Sequence, residues 1–268
     1  MTGSVMGLAI WTAVIAVSAM ITHVSTISRA VYPKLLGDND THYLRDNVSL
    51  LLFFNFLMTG IIIAFAKPAL YALNPIYEHA FPVVIILAIN HFFVVLTTIS
   101  IQNLGGVENI DLDEKATFRS YIHSKLFYPH TLRFIGSLIF VPTLIIGLYF
   151  LIDSNHSDVD LLIFWSMTIL LIHLPMSFFL LFKMTKTLNL KLDYKSIIKY
   201  LIIGIFSFTS IHVITENYLL YTTDIFSFLP NLLLFFGIGI SFYLILAYVT
   251  DKKIRHLVTS IIEEIKSK

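Results

Sequence analysis

Cysteine is absent from the 268 residues. That removes disulfides, thiolate metal sites and thiol catalysis together, and it leaves no mark of a redox compartment. Charge is scarce, at 13% of the chain, and it avoids the middle of every long apolar run. Embedded carboxylates and amines of the kind that carry proton relays and ion couplings are therefore missing from those runs. The chain also lacks GxSxG, HExxH and a glycine-rich phosphate loop; "NLGGVEN" has neither the lysine nor the strand such a loop needs. Loop acids Asp111, Asp113 and Glu114 fall within four positions and are unsupported by any motif, so the expectation is a protein that is not an enzyme and takes no cofactor or metal.

What fills the chain instead is apolar: 57% of residues are hydrophobic and the mean hydropathy is +0.82, outside the range of soluble domains. Runs of about 20 residues match the length at which a helix, rising roughly 1.5 Å per residue, crosses the hydrocarbon core. The fold class read from this is all-α and polytopic. Seven spans are predicted, from Val5 to Val24, Ser49 to Leu70, Phe81 to Ile101, Phe134 to Ile152, Leu161 to Phe182, Ile197 to Ile214 and Phe228 to Val249. No Lys or Arg precedes the first run, which is too long for a signal-peptide core, so it is expected to stay as a span. Residues 1–250 form the helical lobe. Residues 251–268 form a tail in which Ile254, Leu257, Val258, Ile261, Ile262 and Ile265 repeat on one helical face, as in a helix lying on the inner membrane surface.

Basic residues fix the expected orientation. With the first helix starting outside, 17 of the 18 Lys and Arg residues fall on the cytoplasmic side, leaving only Lys67 outside. Seventeen basic against eleven acidic residues give the inside a net +6, and one lysine against six acids gives the outside −5. The expectation is a multi-pass protein of the cell membrane with the C-terminus in the cytoplasm and the N-terminus of this chain outside. Of the sequons at Asn39, Asn47 and Asn155, only Asn155 then lies outside. The inside segment "FRSYIHSKLFYPHTLRF" reads as a helix at headgroup level or a plain connector.

Polar residues inside the spans supply the candidate site. Ser18, Thr22, Ser25 and Arg29 follow at i, i+4, i+7 and i+11, one stripe that faces either a neighbouring helix or a water-filled cavity. A cation at its foot would attract a phosphate group. Asn90 and His91 begin a similar polar side on the third span, continued by Thr97, Thr98 and Gln102. Asn55 with Thr59 reads as glue between helices, His212 as reaching interfacial water, and Lys67 as snorkelling to headgroups. His173 stands two residues before Pro175, where a proline-freed carbonyl needs a donor, and the pair reads as a structural kink.

Three stretches carry a resemblance. The helix end "ISRAVYPKLLG", the turn and helix "LYALNPIYEHAFPVVIILAINHFFVVLTTISIQNLGGVEN", and "KLDYKSIIKYLIIGIFSF" followed by "YLILAYVTDKKIRHLVTSIIEEIK" resemble, in this order and spacing, the C-terminal half of polysaccharide or lipid-linked oligosaccharide flippases. These belong to the multidrug/oligosaccharidyl-lipid/polysaccharide exporter superfamily, and the ending is similar to archaeal members. The resemblance implies alternating access between two lobes and movement of a phosphate-linked glycolipid from the cytoplasmic to the outer leaflet. Its partners would be the lipid-linked glycan, membrane lipids and a second transmembrane lobe, with substrate held by Arg29, Ser18, Thr22, Ser25, Asn90 and His91. Seven spans correspond to the last seven of fourteen, and the odd count places the N-terminus outside; both point to a split or truncated half. The alternative is a scaffold or assembly subunit of a polysaccharide-biosynthesis complex with no transport of its own.

Overall fold

The computed structural model describes residues 5–29, 41–106, 117–125, 127–154 and 156–267. Among them there is no strand, and seven helical stretches are long and apolar enough to cross a membrane. This is an all-α, multi-pass membrane protein. Elements α1 (Val5–Ser18), a 3-10 turn (Ala19–His23) and α2 (Val24–Arg29) make the first crossing. Then come α3 (Thr41–Ala64), the short α4 (Ala66–Leu73), a 3-10 turn (Pro75–Ala80), α5 (Phe81–Gly105) and the short α6 (Phe118–His123). The chain finishes with α7 (Phe127–Asp153), α8 (Asp158–Thr187), α9 (Tyr194–Tyr218), α10 (Ile225–Thr250) and the terminal α11 (Lys252–Ser267).

Helix ends are the least legible feature of the apolar runs, because side-chain caps extend several helices past the apolar stretch. Asp193, Asp224 and Asp251 each accept a backbone N–H at the start of α9, α10 and α11, from Ser196 (3.2 Å), Phe226 (3.1 Å) and Lys253 (2.8 Å). A carboxylate there also suits the positive end of the helix dipole. Ser157 and Asp160 form a reciprocal capping box before α8. At the other end of α8, Asn189 adopts φ 49° while the Leu190 and Asn189 N–H groups donate back to Thr185 (2.9 Å) and Lys186 (3.4 Å), a Schellman stop.

Two boundaries differ in kind. The span expected to run from Ser49 to Leu70 is broken at Phe65, because Pro68 has no N–H to give the Ala64 carbonyl. The stretch from Phe118 to Phe134 is not one surface helix: a Thr117–Ser120 capping box starts α6, and from Phe127 the chain already belongs to α7.

α5 is the axis of the bundle, packed on α1, α3 and above all α8. The second packing centre joins α3, α9 and α10 through Phe53, Tyr200, Phe208 and Tyr243, whose hydroxyl donates to the Phe53 carbonyl at 3.1 Å. Burial is uneven: 67% of the apolar window of α3 is buried and none of that of α7, which packs chiefly on α8. The tail is helical as expected, with Ile254 buried against the bundle; Ile261, Ile262 and Ile265 carry side chains outside the described residues.

Candidate functional site: two cavities beside one helix

Between two lipid-like surfaces burial of apolar groups gains little, so polar contacts and small residues decide how spans meet. The α5–α8 seam shows this. Asn90 Oδ1 lies 2.8 Å from His173 Nδ1, the Thr97 and Ser177 hydroxyls are 2.7 Å apart, and Asn103 donates to the Met184 sulfur at 3.5 Å. Seven residues, close to two turns, separate the first two rungs on α5, so they share one face, and Asn103 lies about a third of a turn round from them. Ser177 also donates to its own helix at the His173 carbonyl (2.8 Å) or across to Phe93 (2.9 Å).

A cavity of about 640 Å³ opens where α7 leans on this seam, walled by α5, α7, α8 and Trp11 of α1. α7 contributes Arg133, Gly136, Ser137 and Phe140, spaced as one helical face. Gly136 and Gly147 let α7 approach α8: a Cβ on Gly136 would come 3.3 Å from Ile172, and one on Gly147 would fall into the Phe164 ring. Trp11 and Trp165 close the wall with ring centroids 5.0 Å apart, while Thr97, Thr98 and His173 face it from α5 and α8. Among the described residues, Arg133 is the only formally charged group lining the cavity, and no carboxylate joins it there. Ser137 donates to the Arg133 carbonyl at 3.0 Å, but no described residue accepts a hydrogen bond from the guanidinium.

On the opposite side of α5 lies a second cavity of about 400 Å³, between α3, α5 and α9. Ile85, which lines it, and Val94, which lines the first, are nine residues apart, so they point about 180° from each other. Its walls are apolar, with Phe56, Ile63 and Phe208 prominent, and its charges are spent on neighbours. Lys67 sits 3.3 Å from Glu78 and 5.6 Å above the Tyr221 ring. Burial, then the carboxylates Glu78 and Glu216, push the Tyr221 phenol up to about 12. His212 donates from Nδ1 to the Ala64 carbonyl at 3.1 Å, the acceptor that Pro68 left without a partner, and its Nε2 lies 3.8 Å from Glu216. The snorkelling lysine and the water-facing histidine of the sequence reading are thus each tied to the protein.

The end of the bundle carrying Lys199 and Lys253 is stitched by charge. Lys253 reaches Asp46 (2.8 Å) and Asp193 (3.1 Å), joining α11 to α3 and to the loop before α9. Lys199 bonds the Asp251 carboxylate at 2.8 Å and the Thr250 carbonyl at 3.2 Å. Burial alone would raise Asp251, but Lys199 and the Lys253 N–H outweigh it and hold the carboxyl below its usual range; Asp193 is lowered in the same manner by Ser196 and Lys253.

The residues singled out from sequence are distributed as follows. Ser18, Thr22 and Ser25 donate to carbonyls of their own helix, at Val14 (2.8 Å), Ala19 (2.6 Å) and Thr22 (2.7 Å), and none lines either cavity. The 3-10 turn between them adds roughly 20° per residue, about 100° in all, so the stripe does not share one face. Arg29 closes α2, with its side chain outside the described residues. Asn90 is buried in the seam, and half-buried His91 beside it has an Nδ1 without a hydrogen-bond partner. Asn55 is interhelical glue, donating to the Phe92 carbonyl at 3.1 Å, while the Thr59 hydroxyl has no partner. α8 runs on through Pro175, and His173 turns its ring to Asn90 rather than to a freed carbonyl. Lys34, Pro33, the sequons at Asn39 and Asn155, and Asp111, Asp113 and Glu114 lie outside the described residues.

Arg133 is the residue the sequence reading missed. Hydropathy rises only at Phe134 and so leaves Arg133 outside the expected span, yet Pro129 in the first turn of α7 is a helix-start signal, and Arg133 with Ser137 then falls at i, i+4. Against models of protein families, curated proteins and solved structures, the chain matches none.

Proposed function

We propose that this chain carries an anionic amphiphile, a phosphate-linked glycolipid, across the cell membrane, as one lobe of a flippase of the exporter superfamily it resembles. One observation carries the reading: a guanidinium with no partner among the described residues, in the wall of a 640 Å³ cavity whose lining is mostly aromatic and aliphatic, with Thr97, Thr98, Ser137 and His173 as its other polar groups. A charged side chain within a span that has no protein partner is a default candidate for ligand contact. Arginine suits phosphate through its planar fork of donors. The remaining wall accepts a lipid chain, and the Trp11–Trp165 pair offers a flat apolar face for a sugar ring.

In this reading the end of the bundle bearing Lys199 and Lys253 faces the cytoplasm, as the distribution of basic residues implies, and α11 lies along that surface. Arg133 is about six residues, roughly 9 Å, from the cytoplasmic start of α7, where it meets a headgroup entering from the inner leaflet. The chain works with a second lobe, and the bare flank of α7 is the surface available to it.

The test uses proteoliposomes containing a short-chain polyisoprenyl phosphosugar, with outer-leaflet sugar read by periodate, which does not cross the membrane. The wild type equilibrates the lipid between leaflets and Arg133→Gln does so at least tenfold more slowly, from the loss of a charged hydrogen bond of about 1.5–3 kcal/mol. Full-rate movement by Arg133→Gln overturns the assignment, and full-rate movement by Arg29→Ala removes the role expected of Arg29. A second reading, a non-transporting assembly subunit, draws on the same bare flank of α7; co-purification with a polytopic partner and no lipid movement would select it.

A further inference from the structure

This inference rests on the anion site just proposed and adds a second ligand to it. His173 lines the cavity while its Nδ1 is engaged by the Asn90 Oδ1 at 2.8 Å. Asn90 Oδ1 only accepts, so the Nδ1 carries the hydrogen, and in the neutral ring the lone pair is on Nε2, the edge left for the cavity. Adding a proton at Nε2 leaves the Asn90 hydrogen bond unchanged, because Nδ1 keeps its hydrogen in both states. The ring can therefore gain and lose a proton without moving.

The groups facing His173 set when that proton binds. From α7 comes Arg133, a permanent cation that lines the same cavity. From α5 come Asn90, bonded to the ring, and its chain neighbour His91. From α1 the cavity receives Trp11 and no titratable group. Without an anion, two like charges would face one another across a space to which no described residue brings a carboxylate. An anionic headgroup between them cancels the repulsion and gives each cation a partner.

We propose that His173 is a proton site coupled to the anion site, so that each anionic headgroup entering the cavity brings one proton onto the Nε2 of His173. By linkage the effect is reciprocal: the anion favours the proton as much as the proton favours the anion. Asn90 is the positioning residue of the pair.

Dodecyl methyl phosphate tests this, since the diester holds one fixed negative charge between pH 5 and 8 and any proton counted belongs to the protein. Its binding to the full chain in nanodiscs is measured by calorimetry in buffers of different ionisation enthalpy, which counts protons without any substitution. The expected result is uptake approaching one proton per ligand around neutral pH, with affinity rising at least tenfold from pH 8 to pH 5. His173→Gln loses the uptake and binds equally at both pH values, whereas His91→Gln keeps it. Wild-type binding without proton uptake overturns the coupling and leaves the anion site standing, as does uptake that persists in His173→Gln. Absence of binding at every pH, or binding indifferent to Arg133→Gln, overturns the anion site and the coupling with it.

Discussion

The two cavities on either side of α5 each hold a cation, and they differ in what that cation meets. In the smaller one, Lys67 is paired with Glu78, and His212 bonds the Ala64 carbonyl and approaches Glu216. In the larger one, Arg133 is charged and has no partner among the described residues. A cation that is satisfied by its own protein contributes to the fold and has little left to offer a ligand. A cation left open contributes little to the fold and keeps its hydrogen-bonding capacity for something else. Substitutions on the two sides should therefore separate binding from stability.

Arg133→Glu should have the largest effect, abolishing binding of a phosphate amphiphile, with a loss beyond about a hundredfold, while thermal stability stays within about 0.5 kcal/mol. Binding by calorimetry and unfolding by a thermal shift, measured on one preparation, check both halves. A large drop in stability would instead make Arg133 structural. Glycine substitutions come next. Gly60→Ala forces a methyl into the Phe208 ring and Gly147→Ala forces one into Phe164, each destabilising by about 1–3 kcal/mol. The two should differ in function: the first lowers stability alone, whereas the second also pushes α7 away from α8 and weakens ligand binding.

His212→Ala should cost about 1–3 kcal/mol by leaving the Ala64 carbonyl bare. In a Pro68→Ala background the restored N–H fills that carbonyl, so the same substitution costs less, and a double-mutant cycle would show coupling of at least about 0.5 kcal/mol. Strict additivity would refute the pairing. The smallest effect concerns pH at the charged end. Asp193 and Asp251 are held below the ordinary 3.8, so their stabilisation is present above that value and lost as pH falls through their lowered values. For Lys253 burial is unfavourable but Asp46 and Asp193 raise it above 10.5, so its contribution is present below 10.5 and lost as pH rises through the raised value. Hydrogen-exchange protection of α11, corrected for the intrinsic pH dependence of exchange, should therefore be flat from about pH 5 to 9, each of the exposed Lys253 pairs being worth about 0.2–1 kcal/mol. Release of α11 inside that window would contradict the pairing.

The spans were legible because about 20 apolar residues in a row have few alternatives to a bilayer-crossing helix. Their ends were not, since Asp193, Asp224 and Asp251 are polar residues whose capping role depends on where the helix begins. Rules about local chemistry held where partners were left unspecified and failed where they were named. A histidine does satisfy a proline-orphaned carbonyl here, but it is His212 for Pro68, 144 positions away, rather than His173 beside Pro175. Likewise Asn90 was a reasonable candidate, yet its partner His173 is 83 residues distant and no periodicity connects them. The stripe of Ser18, Thr22 and Ser25 was drawn at α-helical pitch, and a single 3-10 turn undoes it.

The tryptophan pair has a further use. The chain contains two tryptophans, and both line the larger cavity at 5.0 Å from each other. All of its indole fluorescence therefore originates in that wall, so ligand entry or drying of the cavity should register in the emission of the unlabelled protein. Because no native thiol competes, one cysteine placed on α7 could carry an acceptor dye and turn the same light into a ruler for how far that helix moves.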